Sequence, residues 1–196
     1  MKALLLGSML GSVLIAFGDP TFSHPVQVSP QDQPRDPRVT QEMEVLAFLD
    51  AVESEEVGED PGKAREFLTG ATDLQLSPET ADAITKYALK RIYLRDEISR
   101  AYKTDLCQRR AEFLVSPDAL AARYEASSRE QVEFRKALVT GFLDLLTDDE
   151  KAVIFGWIDK HMRISLIRTA SPNDIAAKIR SGELSPAQIM ARQCPE

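Results

Sequence analysis

The stretch Leu76–Phe113, LSPETADAITKYALKRIYLRDEISRAYKTDLCQRRAEF, decides the fold class. Ser77 followed by Pro78 marks a helix start. The hydroxyl accepts from a free N–H of the first turn, and Pro lacks the N–H that would be orphaned there. Behind that start, Ile84, Ala88, Leu94, Ile98, Tyr102, Leu106 and Phe113 recur close to the 3.6-residue period of an amphipathic helix. At 1.5 Å per residue, a helix of that span is about 50 Å long. Lys86, Lys90, Arg95, Arg100 and Arg109 occupy its other faces.

The same punctuation recurs downstream. Ser116-Pro117-Asp118, Ser171-Pro172-Asn173 and Ser185-Pro186-Ala187 repeat the Ser-Pro start. Thr147 with Glu150 and Ser185 with Gln188 have the spacing of capping boxes, and Val115 with Leu120 and Leu184 with Ile189 that of hydrophobic staples. A second long helix is expected from Ser116 towards Leu145, through Leu120, Tyr124, Phe134, Leu138 and Phe142. With only a few residues between them, the first two helices should form an antiparallel hairpin. A third runs from Thr147 to about Arg168. Its segment Ala152–Ile158 is apolar throughout, with Phe155 and Trp157 at its centre, which predicts a helix buried between others. Two short helices follow, near Pro172–Arg180 and Pro186–Gln193. Upstream, Met43, Leu46, Ala47, Leu49 and Val52 predict a helix from Thr40, and a short one is expected over Lys63–Leu68. No strand alternation of useful length occurs. The fold expected is all-α, an irregular helical bundle: a long antiparallel hairpin, a third buried helix and short C-terminal helices.

The N-terminus has a different character. In residues 1–18 Lys2 is the only charge, and Ala3–Phe17 is an apolar run broken only by Gly and Ser. A basic start, an apolar core and small residues are the pattern of a secretory signal. Ala16-Phe17-Gly18 places small residues at −3 and −1 of a cut before Asp19, and Thr21-Phe22-Ser23 offers a second cut. A membrane span needs about 20 apolar residues. This run is shorter and carries Gly7 and Gly11, which favours cleavage over anchoring. Residues 19–39 form a tether in which Pro20, Pro25, Pro30, Pro34 and Pro37 exclude helix and central strand. Residues 40–196 form a single all-helical domain.

The full 196-residue chain carries 24 basic and 31 acidic side chains, and loss of Lys2 takes the formal charge from −7 to −8. An acidic mature chain is not drawn to nucleic acid or to an anionic membrane surface. Removal of the leader leaves no membrane span and places the protein in the periplasm or outside the cell.

The chemistry-bearing motifs are few. Gly58-Glu59-Asp60-Pro61-Gly62-Lys63 has three residues between its glycines where a phosphate loop needs four, and Ala64 stands where Ser or Thr would bind magnesium. His161 has Ile158 three positions before it, not the Glu of a di-metal bundle, and reads as a helix-surface or interface residue. Glu97, Glu112, Glu125, Glu130 and Glu133 read as solvated helix-face charges, with pairs such as Asp96–Arg100 and Glu125–Arg129 at helical spacing. No catalytic, metal or cofactor site is assigned. The two cysteines, Cys107 and Cys194, carry the one specific site expectation. In an oxidising compartment they should form a disulfide that clamps the tail helix near the end of the first long helix. Two free thiols, an intermolecular bridge through Cys194, or a Cys107–His161 nucleophilic pair are the alternatives.

The strings Leu76-Ser77-Pro78-Glu79-Thr80, Leu146-Thr147-Asp148-Asp149-Glu150 and Leu184-Ser185-Pro186-Ala187-Gln188 resemble the L-T-x-x-Q motif of a family of small all-helical periplasmic stress proteins and chaperones. The third ends in Gln, the second in Glu and the first in Thr. The resemblance implies a curved helical hairpin that binds unfolded or envelope-stress partners on a concave face. The apolar leader, the long amphipathic hairpin, the tether and the lack of a catalytic motif lead to the function expected: an exported, non-enzymatic binding or chaperone-like role with a protein partner. The alternatives are a cell-envelope enzyme with a non-standard carboxylate site, or a structural component docking through the apolar stretch around Trp157.

Overall fold

Helix starts organise the chain, and all of those described below except the one at Arg110 are capped by a side chain the sequence supplies. The computed structural model describes residues 26–28, 39–54, 60–71, 73–162, 164–166 and 170–194. The leader, most of the tether and the first two residues of the Gly58–Lys63 loop lie outside the described residues.

Helix α1 spans Gln41–Ser54, and the Thr40 hydroxyl accepts from the Met43 N–H. Helix α2, Pro61–Gly70, begins where Asp60 Oδ1 accepts from the Gly62 N–H at 3.0 Å. It starts two residues before the expected Lys63, because Pro61 serves as the first helical residue rather than as a breaker. Helix α3 spans Pro78–Gln108, and a short helix α4 covers Arg110–Val115. The expected run to Phe113 is thus interrupted once, at Arg109, whose φ of −94° and ψ of 15° leave the helical region. Helix α5 spans Pro117–Leu143, α6 Asp148–His161, α7 Pro172–Arg180 and α8 Pro186–Gln193. All five predicted Ser or Thr caps form, with capping boxes at Thr147–Glu150, Ser171–Asp174 and Ser185–Gln188.

Three expectations need correction. Helix α6 ends at His161 rather than near Arg168. Met162 turns extended, and Ile164–Leu166 (β2) pairs antiparallel with Val26–Val28 (β1) of the tether, Val26 opposite Leu166. Three residues are too few for alternation to show in the sequence, and the pairing is non-local. Helix α6 is also not buried on all sides: Ile154 and Ile158 are buried, Phe155 and Trp157 half-buried, and Ala152, Val153 and Gly156 face outward. The staple at α5 does not form either, because Val115 is 82% exposed while Leu120 is fully buried.

The buried side chains form two clusters strung along the same pair of helices. The first joins Val45, Phe48, Leu49 and Val52 of α1, Ala64 and Leu68 of α2, the opening turns of α3, Phe142 of α5 and Ile154 and Ile158 of α6. The second joins Tyr102, Leu106 and Phe113 to Leu120, Ala121 and Tyr124 of α5, Ile175 and Ile179 of α7, and Ile189, Met190 and Cys194. Helices α3 and α5 run antiparallel between them. Tyr87 Oη donates to the Leu138 carbonyl at 2.6 Å, and Arg123 Nε donates to Asp105 Oδ2 at 2.6 Å further along. Between the clusters α5 turns polar: Ser127 is 4% exposed and accepts from Gln131 Nε2. Among the described residues no helix is long and apolar enough to cross a membrane.

Candidate functional site

The predicted disulfide is the firmest site in the molecule. Helix α8 lies against α3 with Ile189 and Met190 buried, and the chain after Gln193 turns so that Cys194 meets Cys107, Cα to Cα 5.5 Å. The two sulfurs are bonded across 87 positions of sequence. Cys194 is 6% exposed and Cys107 is half-buried. The bond sits in the second cluster whereas His161 ends α6 beside the first, so a Cys107–His161 nucleophilic pair does not exist.

The turn after α7 delivers α8 to that position. Gly182 takes φ 77°, its N–H donates to Ile179 O, and Leu184 N–H donates to Lys178 O. A side chain in this left-handed conformation would be strained, which is why Gly suits the place after a helix end. Leu184 then packs, partly buried, against the second cluster, to which Ile189 belongs.

A group of largely buried charges forms a clamp between α1 and α3. Arg91 Nη2 donates to Asp50 Oδ1 at 2.6 Å and Arg91 Nη1 to Glu53 Oε1 at 2.8 Å. Arg95 Nη1 reaches Glu53 Oε2 at 3.2 Å. The Arg91 and Glu53 side chains are each 10% exposed. Burial pushes the Glu53 carboxyl above its ordinary value, against the pull of Arg91 and Arg95 and with help from nearby Asp50. Burial also disfavours charge on Arg91, but Asp50 and Glu53 outweigh it and hold its pKa up. Both Glu53 oxygens are therefore occupied by guanidinium donors. The arrangement resembles a catalytic carboxylate pair in composition and a structural tie in geometry. Arg91 was legible in principle: it follows Ala88 by three positions and Ile84 by seven, on the stripe that faces the core.

A second polar cluster caps the first core from outside. Asp73 Oδ2 accepts from Lys160 Nζ and lies 3.4 Å from His161 Nε2. The His161 ring stacks on Trp157 at 5.3 Å, and Trp157 meets Phe48 and Phe67 edge-on. Asp73 and Gln75 both take positive φ, 68° and 38°, in the link between α2 and α3. That conformation alternates the chain, so Leu74 and Leu76 point into the core while Asp73 and Gln75 face water. His161 is the interface residue the sequence suggested, and no Asn or Gly in this link announced its left-handed turns. The Asp73–His161 contact resembles the orienting half of a catalytic dyad, but Lys160 shares the same Asp73 oxygen and ties it as an ion pair.

Several of the other acids engage neighbouring cations at the surface. Glu112 pairs with Arg109, Glu130 with Arg123 and Glu133 with Lys136. Two expected pairs form differently: Glu125 takes Arg180 of α7 rather than Arg129, and Arg100 Nε donates to the Asp96 carbonyl rather than its carboxylate. Among the described residues no group of three His, Cys, Asp or Glu side chains is placed to hold a metal ion. A shallow depression of about 580 Å³ opens on α3 around Cys107, lined by Arg100, Lys103, Thr104 and Gln108.

No protein-family model matches the chain, and comparisons with curated proteins and with solved structures likewise return no match.

Proposed function

We propose that the chain is an exported, non-enzymatic binding protein of chaperone-like type that presents its helical hairpin to a protein partner. The observation that carries this reading is Tyr93. It is 69% exposed on α3, midway between the two cores. The Tyr87–Leu138 and Asp105–Arg123 contacts place it level with Val132 of α5, which is 36% exposed. A tyrosine offers a large, stiff contact surface with a polar tip, the chemistry enriched where proteins bind one another. Export is supported by the apolar leader with its small-residue cut site and by the pairing of both cysteines, since disulfides persist in oxidising compartments.

Glu53 favours a second reading, an enzyme with a carboxylate site, because a buried carboxyl with a raised pKa is a common catalytic feature. Its two oxygens are both held by arginines, which leaves the binding role the stronger. Trp157 is half-buried against Phe48 and Phe67 and gives little support to docking through that residue.

The test is suppression of aggregation. Heat-unfolding citrate synthase is followed by light scattering with the oxidised protein, residues 19–196, at equimolar ratio. The native protein should lower the scattering, and Tyr93→Asp should lower it less at unchanged thermal stability. Scattering that the native protein leaves untouched removes the proposal. Intact mass of native material should lack the leader and be two hydrogens lighter than the dithiol.

A further inference from the structure

We propose that the sulfur of Cys107 is a thiol-exchange site selective for anionic thiols, with Cys194 as the leaving thiolate. Three features of the second cluster carry this. The bond is lopsided: Cys194 is 6% exposed, whereas Cys107 is half-buried and lines the depression on α3. An attacking thiolate needs access to one sulfur in line with the bond that breaks, and only Cys107 offers a wall of an open depression. Second, Arg100 and Lys103 precede Cys107 by seven and four positions, and both are exposed on that same stripe of α3. Arg100 is steadied there by its Nε donating to the Asp96 carbonyl at 3.2 Å. Third, the chain as a whole is acidic, at −7. Its overall field repels an anionic thiol, so faster reaction with such a thiol requires the local pair of cations.

The step balances without another reactant. An external thiolate bonds to Cys107 Sγ as the Cys107–Cys194 bond breaks, and Cys194 departs with the electron pair as a thiolate. A second thiolate attacking the mixed disulfide leaves both protein cysteines reduced and the small thiol oxidised to its dimer. Cations beside the reacting sulfurs favour both the approaching and the developing negative charge. Helix α8 is then held without a covalent link, by packing that buries Ile189 and Met190. The device makes attachment of the tail sensitive to the thiols around the protein.

The experiment uses the oxidised protein, residues 19–196, with two probe thiols: glutathione, whose thiolate form is a dianion, and cysteamine, whose thiolate form is neutral overall. Rates are compared between the native sequence and an R100E/K103E variant, both positions being solvent-exposed. Each thiol serves as its own reference for intrinsic reactivity. Reversing the two charges that line the depression with the sulfur should slow glutathione roughly fivefold at 0.1 M salt and cysteamine far less, with the contrast shrinking at 0.5 M salt. Early time points quenched with excess N-ethylmaleimide should map glutathione to Cys107 and maleimide to Cys194. Glutathione found on Cys194 overturns the proposal, and so do glutathione rates that the variant leaves unchanged. An R100K/K103R control should keep the native rates.

Discussion

Replacing Arg91 with Met removes the guanidinium that α3 inserts between Asp50 and Glu53 of α1, and the size of the loss follows from what stays behind. Glu53 remains 90% enclosed with Arg95 on one oxygen only, while Asp50, 44% exposed, turns to water. Stripping one partner from a buried ion pair costs about 3–5 kcal/mol. The surviving Arg95 contact and the openness of Asp50 put this case near the lower end, about 3 kcal/mol. With a urea slope of about 2 kcal/mol per molar, the unfolding midpoint should fall by about 1.5 M. Replacing Glu53 with Met as well removes the stranded carboxylate, so the R91M/E53M double variant should return to within about 1 kcal/mol of the native protein. Trp157 fluorescence is the assay: it is the chain's one tryptophan and meets Phe48 of α1 edge-on. Additive losses in the double variant would refute the clamp, since they would mean that the two residues stabilise the fold independently.

Replacing both cysteines by Ser opens a ring whose ends lie 87 positions apart, and chain entropy alone puts the loss at about 4.5 kcal/mol, read as a fall in the urea midpoint; a fall under about 0.5 M would show that α8 is held by packing instead. The Glu150 carboxylate accepts from Thr80 Oγ1 and from the Thr147 N–H and hydroxyl, which hold its pKa below the ordinary 4.5. Its stabilising effect is therefore present above pH 4.5 and is lost as pH falls through the lower native value. Glu150→Gln should narrow the stability difference between pH 6 and pH 3, measured by urea unfolding; an unchanged difference would show that Thr80 gains nothing from the charge.

Helix existence was legible because caps are local. A Ser, a Pro and the following apolar period lie within one or two turns of each other, and the start at Ser116 needed nothing distant to be read. The Val115 staple failed because the neighbouring Phe113, on the other side of the short α4 turn, takes the buried place instead. What sequence pattern could not give is long-range. The strand Ile164–Leu166 exists because Val26–Val28 pairs with it from more than a hundred positions away. Helix α6 reads as apolar all round because Ala152, Val153 and Gly156 are small or aliphatic, yet those residues face outward. The division into two cores was also hidden: Leu94, Ile98 and Phe134 keep the apolar period through the middle, while Ser127 and Gln131 interrupt it only on the α5 side. The disulfide was legible by count, since two cysteines allow a single intramolecular bond, but its unequal exposure belongs to the folded chain alone.

The Cys107–Cys194 link divides the molecule topologically as well as stabilising it. Everything from α4 to α8 lies on a closed covalent loop, while α1, α2 and most of α3 hang from it as an open strand. One nick by a protease in the loop, in the turn before α6 for instance, leaves the two pieces joined until a reductant is added. A nick between α1 and α2 severs the N-terminal piece from the rest of the backbone at once, and only side-chain packing then retains it.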